Sequence, residues 1–264
     1  RGTMVGMTGL DLPHPDDLTD DERGLVDLLR QSAVQMLPDG TVLETDDMLG
    51  ALRALQQEFV RFRLYYKFGI DEVLTKITIL REEFEQAHDY SPIEHVRHRL
   101  KSMESLMQKV IRTGTHLSIP AIRESIHDIA GIRITCSFVS DAYWVRDMVA
   151  QQPDLEVVNT KDYIAHPKPN GYRSLHMIVR VPVFLSDRTE HVDVEIQLRT
   201  IAMDFWASTE HKLYYKYGRE VPAHLLAELT ETARLSAELD DRMAQLRAQI
   251  NGLDGVDGAG AAAR

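Results

Sequence analysis

Apolar residues recur every three or four positions in both terminal parts of the chain, which predicts long helices. Before position 90, the pattern predicts a helix over residues 19–36, preceded by a capping-box sequence. It then predicts helical structure over residues 49–84, as either two helices or one long helix broken near Gly69. Towards the C-terminus it predicts a helix over residues 222–251, whose apolar positions follow steps of four and three.

Strand-like and helix-like periods alternate in the middle of the chain. Period-two alternation predicts strands over residues 93–101 and 191–198, and three further strands are predicted over residues 131–138, 155–164 and 175–184. Helical spacing predicts helices over residues 103–111, 141–150 and 200–217. We therefore expect an α/β fold in which helices pack on a mixed sheet of about five strands, with long N- and C-terminal helices.

These elements divide the chain into five regions. We predict a flexible N-terminus (1–18), an N-terminal helical region (19–90), a core (91–218), a C-terminal helix (219–251) and a disordered tail (252–264). The tail is rich in Gly and Ala, a composition typical of disordered segments. The apolar positions of the C-terminal helix, spaced in steps of four and three, are compatible with self-association. They are also compatible with an amphipathic helix that lies on its own domain.

Composition narrows the class of protein. Apolar residues make up 44% and charged residues 27% of the chain, which is ordinary for a soluble globular protein. No apolar run approaches the ~18–20 residues of a membrane helix, and no signal-peptide pattern opens the sequence. Cys136 is the single cysteine, so we expect a cytoplasmic protein without disulfides.

The net charge of −11 argues against broad nucleic-acid binding, which needs a basic surface. The cations nevertheless cluster in two segments, which contain Arg97, Arg99 and Lys101, and Lys161, Lys168 and Arg173. A cationic pocket on an acidic protein would suit a small anionic ligand. The alternative is that both segments are solvated surface.

Two acids lie where strands could bring them together. Asp128 precedes one predicted strand, and Glu195 lies on the polar face of another. A pair of carboxylates suits Mg²⁺, which takes hard oxygen ligands and leaves positions for phosphate and water. Each acid alone would more commonly be a solvated surface residue.

The segment from Lys161 to His176 combines prolines, Asn-Gly, cations and two tyrosines. Prolines and Asn-Gly fix the shape of a loop, lysines and arginine bind phosphates, and a tyrosine offers a stacking face for a base. The strand and helix that follow carry Gln197 and Asp204 as further polar groups. A carboxylate such as Asp204 accepts two hydrogen bonds from guanine but not from adenine. A basic surface turn and a packing helix are the alternatives.

Several motifs in order resemble one family. They are His127–Ile134, Lys161–His176, Glu195–Thr200 and Ala202–Ala207, followed by Glu210-His211. The chain resembles the RelA/SpoT synthetase domain from about Pro92 to Tyr217, and in particular its stand-alone small alarmone synthetases of the RelQ type. This resemblance implies a nucleotidyltransferase-like fold for the core.

The resemblance also implies an activity, that of a GTP diphosphokinase or (p)ppGpp synthetase. Such an enzyme transfers the β,γ-pyrophosphate of ATP to the 3′-hydroxyl of GDP or GTP, giving ppGpp or pppGpp plus AMP. GMP is a further candidate acceptor, and Mg²⁺ is the implied cofactor. The implied assembly is a homo-oligomer, a tetramer by resemblance, with weak binding of single-stranded RNA as a further partner.

The resemblance assigns roles to residues. The implied ATP-binding cations are Arg99, Lys101, Arg112, Arg133 and Lys161. Asp128 matches the Mg²⁺-binding aspartate, and Glu195 matches the glutamate that assists the metal and activates the 3′-hydroxyl. The implied acceptor-binding residues are Lys168, Tyr172, Gln197 and Asp204, of which Tyr172 stacks on guanine.

Two departures from the family qualify these expectations. The segment before Ser91 is too short for the hydrolase domain of bifunctional relatives, so we expect no hydrolase activity. His95 and Arg97 stand where RelQ-type relatives have an aromatic residue and a threonine for an effector. Two other functions remain open: a non-catalytic regulator that binds nucleotides or single-stranded RNA, and a toxin-like relative that pyrophosphorylates ATP or tRNA.

Overall fold

The structure is a computed structural model, and the residues it describes are 45–87, 90–217 and 222–261. The predicted flexible N-terminus and the predicted helix over residues 19–36 lie outside these described residues. The elements within them, in chain order, are α1 (Thr45–Ala87), β1 (His95–Leu100), α2 (Met103–Thr113), α3 (Ile119–Ser125), β2 (Ala130–Cys136), α4 (Val139–Ala150), β3 (Glu156–Asp162), β4 (Leu175–Phe184), β5 (Thr189–Thr200), α5 (Ile201–Tyr217) and α6 (Ala223–Ala261).

The described residues form two compact units, and the first comprises those up to Phe62 together with Lys101–Ser125. Its buried side chains are Phe59, Phe62, Met103, Leu106, Met107, Val110 and Ile122. Helix α2 begins after Ser102, whose Oγ accepts a hydrogen bond from the amide of Ser105 at 3.2 Å. It ends at Gly114, where φ is 66°, a left-handed conformation that glycine adopts without steric cost.

The second unit comprises Arg63–Leu100 and the chain from Ile126 onward, and it contains the whole sheet. The strand order is β1-β2-β5-β4-β3. Strands β2 and β5 are parallel, and the other neighbouring pairs are antiparallel. The predicted mixed five-stranded sheet is therefore confirmed.

One face of the sheet is a continuous apolar surface. Ile132 of β2 lies opposite Ile196 of β5, which lies opposite Met177 of β4. The side chains in this row and in the two adjacent rows are at most 1% exposed; the adjacent rows are Ala130, Val194 and Val179, and Ile134, Leu198 and Leu175. Because side chains alternate along a strand, this packing turns the intervening polar residues to the opposite face.

Helix α1 runs without interruption through Gly69, so the predicted break there is wrong. A Cβ at position 69 would lie 2.3 Å from Cγ2 of Val192 and 3.4 Å from Cγ2 of Val194. The glycine therefore allows the helix backbone to approach the apolar face of β5, although it costs about 1 kcal/mol relative to alanine within a helix. A sequence pattern cannot distinguish this close approach from a helix end.

Helices α4 and α5 pack on the central strands β2 and β5, and α6 packs along α5. Nε1 of Trp206 in α5 donates hydrogen bonds to the Leu229 carbonyl and to Thr232 Oγ1 of α6, both at 3.1 Å. Helix α6 extends to Ala261, whereas the sequence pattern predicts its end at residue 251 and a disordered tail beyond. Local propensity does not explain this extension, because the segment is rich in glycine. None of the helices in the described ranges has the length and apolarity to span a membrane.

Candidate active site

The polar face of the sheet carries a row of functional side chains that crosses all five strands. In the strand register, Arg133 lies opposite Gln197, Gln197 opposite His176, and His176 opposite Lys161. Arg97 of the edge strand β1 lies opposite Arg133 and completes the row. The sheet therefore places four cationic or titratable groups and an amide in one line.

The next row brings together Arg99, Gly131 and Glu195. Gly131 has no side chain, and Cγ of Arg99 lies 3.6 Å from the position that a Cβ there would occupy. Arg99 thus extends over the glycine towards the central strands. In this row, the side chain of Arg99 and the carboxylate of Glu195 lie on opposite sides of Gly131.

Glu195 is held by two neighbours on the polar face. Its Oε1 lies 3.0 Å from His176 Nδ1, and its Oε2 accepts a hydrogen bond from Gln197 Nε2 at 2.9 Å. Burial raises the pKa of this carboxyl, but the hydrogen bond and charge of His176 and the hydrogen bond from Gln197 lower it, and the net result is a lowered pKa. Glu195 is therefore a largely buried carboxylate that is ionised at neutral pH.

Asp128 lies in the segment between α3 and β2 and is half-buried. Its negative charge acts to raise the pKa of Glu195, so the two carboxylates are close enough to interact. The described residues contain no group of three or more His, Cys, Asp and Glu side chains that could hold a metal. Two carboxylates nevertheless fit Mg²⁺, which typically binds one or two protein carboxylates together with substrate phosphates and water.

Tyr172 stands at the end of the loop between β3 and β4. Its hydroxyl accepts a hydrogen bond from Arg199 Nη2 at 2.6 Å and lies 2.8 Å from His176 Nε2. Because the other nitrogen of the same imidazole contacts Glu195, the ring links Tyr172 to that carboxylate. Nζ of Lys168 lies 4.7 Å from the ring centroids of both Tyr163 and Tyr172.

Asp204 of α5 is the counter-ion of two arginines. Its Oδ1 lies 3.1 Å from Arg133 Nη1 and 3.2 Å from Arg199 Nη1. The pKa of Arg133 is lowered by burial and by the charge of Arg199, while Asp204 acts in the opposite direction. Asp204 therefore offsets the repulsion between two neighbouring cations, and its predicted contact with guanine stays a prediction.

The second unit thus brings together nine of the predicted site residues: Arg99, Asp128, Arg133, Lys161, Lys168, Tyr172, Glu195, Gln197 and Asp204. The other two belong to the first unit. Lys101 directly follows β1, and Arg112 lies in the last turn of α2. Their roles in binding ATP stay predictions.

Comparison with known proteins identifies the family. Residues 98–220 match the family model described as the region found in RelA / SpoT proteins. Over 213 residues the chain is 46% identical to the GTP pyrophosphokinase YwaC of Bacillus subtilis, a match that covers 81% of this chain and 100% of that protein. The chain belongs to the RelA/SpoT family.

Solved structures of RelA/SpoT relatives have the same fold. The small alarmone synthetase 2 from Bacillus subtilis is 47% identical, with a TM-score of 0.67 over 73% of this chain and 99% of that one. The small alarmone synthetase 1 from Bacillus subtilis, bound to its product pppGpp, is 36% identical, with a TM-score of 0.68 over 74% and 98% of the two chains. The predicted resemblance to small alarmone synthetases is confirmed.

Two further residues of this RelA/SpoT site, His176 and Arg199, were not among the predicted site residues. Both contact Tyr172, and His176 also contacts Glu195. A signal was present for Arg199, because period-two alternation places it on the same face as Glu195 and Gln197. The position of His176 beside Glu195 depends on the pairing of β4 with β5, which no local pattern specifies.

Proposed function

We propose that this chain is a GTP diphosphokinase that transfers the β,γ-pyrophosphate of ATP to the 3′-hydroxyl of GDP or GTP. The products are ppGpp or pppGpp and AMP. The observation that carries the proposal is the setting of Glu195, an ionised carboxylate held by His176 and Gln197 beside Asp128. A carboxylate fixed in this way next to phosphate-binding cations suits the activation of a hydroxyl that attacks a phosphorus atom.

The transfer requires one bond to form and one to break. The 3′-oxygen of the acceptor bonds to the β-phosphorus of ATP, the bond from that phosphorus to the oxygen bridging the α- and β-phosphates breaks, and AMP leaves with the bond electrons. Glu195 accepts the proton of the 3′-hydroxyl. Arg99 and Arg133 offset the negative charge that develops on the phosphoryl oxygens, as cations do in other phosphoryl transfers.

Mg²⁺ is the proposed cofactor, with Asp128 and Glu195 as its protein ligands. When bound, the ion would offset charge on the transferred group. Both oxygens of Glu195 already take part in contacts with His176 and Gln197. Each carboxylate oxygen has a second lone pair, so these contacts orient the group and leave it able to bind a metal.

The loop between β3 and β4 is the proposed acceptor site. The ring of Tyr172 would stack on guanine, and the ammonium of Lys168, which lies beside that ring, would meet the acceptor's phosphates. Gln197 shares the cross-strand row with His176 and would orient the acceptor with Asp204. We also propose that the protein acts in the cytoplasm and assembles as a homo-oligomer.

The direct test supplies the protein with ATP, Mg²⁺ and, separately, GMP, GDP or GTP, and separates the nucleotide products. We expect AMP together with a guanosine nucleotide pyrophosphorylated at the 3′ position. Absence of any transfer in folded protein would favour a nucleotide- or RNA-binding regulator. Transfer to ATP or to tRNA, with no guanosine product, would favour a toxin-like relative.

Substitution of the two acids tests the proposed chemistry. Asp128→Asn and Glu195→Gln should each reduce turnover by at least about a hundredfold, because each removes a carboxylate needed for general-base or metal-assisted transfer. Thermal unfolding should show that both variants remain folded. Asp187→Asn, an exposed acid in the β4–β5 turn, is the matched control and should keep wild-type turnover. Near-wild-type turnover of either site variant would contradict the role of that residue.

A further inference from the structure

One face of α6 lies against the loop that carries Tyr172. Ala233 and Asp240 share this face, since seven residues make about two helical turns. Ala233 is 5% exposed and belongs to a small buried cluster with Trp206 and Ala207 of α5. Tyr172 packs against this cluster, so the ring of the proposed base-stacking residue contacts a cluster formed by α5 and α6 together.

The loop backbone also touches α6 directly at Gly171. A Cβ at this position would lie 2.4 Å from Cβ of Ala233 and 3.7 Å from the carbonyl oxygen of Thr230. Gly171 has φ of 85°, a conformation that other residues rarely adopt. The contact shows that a side chain at position 171 would clash with α6, and the positive φ independently favours glycine there.

Asp240 makes the second connection between α6 and the site. It is buried, and its Oδ2 accepts a hydrogen bond from Thr200 Oγ1 at 2.9 Å. The same oxygen lies 4.0 Å from Nη1 of Arg173, a buried nitrogen with no hydrogen-bond partner in the described residues. Thr200 immediately follows Arg199, and Arg173 immediately follows Tyr172. The Asp240 carboxylate therefore contacts both Thr200 and Arg173. These are the chain neighbours of Arg199 and Tyr172, which are joined by a hydrogen bond of 2.6 Å.

Thr200 also forms a hydrogen bond at the start of α5. Its Oγ1 accepts a hydrogen bond from the amide of Met203 at 3.1 Å, at the start of α5, while its hydroxyl donates to Asp240. Burial raises the pKa of Asp240, whereas the Thr200 hydrogen bond and the charge of Arg173 lower it. The effect of burial is larger, so the net pKa is raised. Burying a carboxyl is costly unless its hydrogen bonds are satisfied, so these contacts fix its geometry.

We propose that Asp240 is a positioning residue for the acceptor nucleotide. From α6 it fixes Thr200 and Arg173, and through them the relative placement of Arg199 and Tyr172 on which stacking of the acceptor base depends. The inference rests on the proposed function, because it concerns the acceptor site of that reaction. Asp240 itself is a positioning group and contacts neither substrate.

Steady-state kinetics of Asp240→Asn with each substrate varied in turn tests the proposal. Asparagine keeps an oxygen that accepts from Thr200 but loses the charge that faces Arg173. The hydrogen bond from Thr200 then has a neutral acceptor and Arg173 loses its counter-ion, so we expect KM for GDP to rise about tenfold and KM for ATP to change less than about twofold. Asp241→Asn is the matched control, since this neighbouring acid on α6 is exposed. Both KM values of the control should equal those of the wild type.

A second variant keeps the test decisive if Asp240→Asn fails to fold. Ala233→Val adds methyl groups towards Gly171 without changing charge, and Ala244→Val is its control at an exposed position of α6. Ala233→Val should also raise KM for GDP selectively, and equilibrium titration with GDP alone should show the same weakening. Equal changes for both substrates, or unchanged GDP binding, in the folded variants would overturn the positioning role. If the wild type forms no guanosine product, the proposed function itself fails before the variants are compared.

Discussion

At the scale of single residues, the site is organised by one imidazole. His176 contacts the Glu195 carboxylate through Nδ1 and the Tyr172 hydroxyl through Nε2. A single side chain therefore links Tyr172, the proposed stacking residue for the acceptor base, to Glu195, the proposed activator of the acceptor's 3′-hydroxyl. Arg199 also donates a hydrogen bond to the Tyr172 hydroxyl, so two side chains fix the position of the tyrosine oxygen.

The contact with His176 makes a prediction for the pH dependence of activity. His176 lowers the pKa of Glu195, whereas burial raises it, so His176→Asn should raise that pKa. Since the ionised form of Glu195 is the proposed active form, the acid limb of the kcat/KM profile should move to higher pH. The same sign applies to stability: the contribution of ionised Glu195 is present above its unfolded pKa and is lost as the pH falls through its folded pKa.

Measurement of kcat/KM between about pH 3 and pH 8 checks this prediction, because that range includes the ordinary titration region of glutamate and the lower region to which His176 and Gln197 shift the pKa of Glu195. His191→Asn provides a control, since His191 is an exposed histidine on the same strand as Glu195. Its profile should match that of the wild type. An acid limb of His176→Asn that stays in place would contradict the assigned role of His176.

Tyr172 offers a separate prediction because its ring and its hydroxyl have different partners. Tyr172→Phe keeps the stacking face and removes the hydroxyl that Arg199 and His176 contact, so KM for GDP should rise less than about tenfold. Tyr172→Ala also removes the ring, and base stacking on an aromatic is worth about 1–3 kcal/mol, so the rise should be larger. KM for ATP should change little in both variants. Equal effects on the two substrates would place Tyr172 outside the acceptor site.

At the scale of elements, all five predicted strands are present in the sheet. Every second side chain of β4 is buried, whereas the edge strands β1 and β3 contain no buried side chain. Residues 119–125 form the helix α3, which was not predicted, because seven residues give too few turns for a clear helical period. The break at Gly69 was wrong for a different reason. The glycine is required by contact with Val192, which lies more than a hundred residues further along the chain.

In the site, likewise, some features follow from the local sequence and others depend on pairing between strands that are distant in the chain. Alternation along β5 turned Glu195, Gln197 and Arg199 to one face, which the sequence alone indicates. Strand order and register decide which residues of β2 and β4 meet them. Those pairings join distant parts of the chain, so the contact of Glu195 with His176 and the row that includes Arg133 required the structure.

Helix α6 carries an element-scale prediction about assembly. Five of its apolar side chains are each at least 46% exposed, and they follow one another in steps of three or four: Leu235, Leu239, Met243, Leu246 and Ile250. Burying such a side chain against a second copy would contribute about 1.5–3 kcal/mol. We therefore expect a homo-oligomer by light scattering and a smaller species for the Leu239→Glu, Leu246→Glu double variant. The double variant Gln245→Glu, Gln249→Glu introduces the same two charges at exposed polar positions and should leave the mass unchanged. A monomeric wild type would contradict the prediction.

At the scale of the whole molecule, charge is distributed unevenly. The chain has a net charge of −11, yet Arg97, Arg133 and Lys161 share one row on the polar face of the sheet. A cationic surface within an acidic molecule concentrates small anions there without attracting polyanions generally. This distribution favours nucleotides over long RNA as ligands of that face.

Regulation by the product pppGpp is the prediction that concerns the whole molecule. An effector stimulates only if it binds the active state better than the inactive one, which requires suitable contacts. RelQ-type relatives are expected to use an aromatic residue and a threonine, whereas His95 and Arg97 are both exposed on β1 here. A smaller ring and a long guanidinium change the shape of such a site, so added pppGpp should not raise the initial rate at sub-saturating ATP and GDP. If these two positions alone determine the response to the effector, pppGpp should stimulate the double variant His95→Phe, Arg97→Thr. Several-fold stimulation of the wild type would show that neither residue disables the effector site.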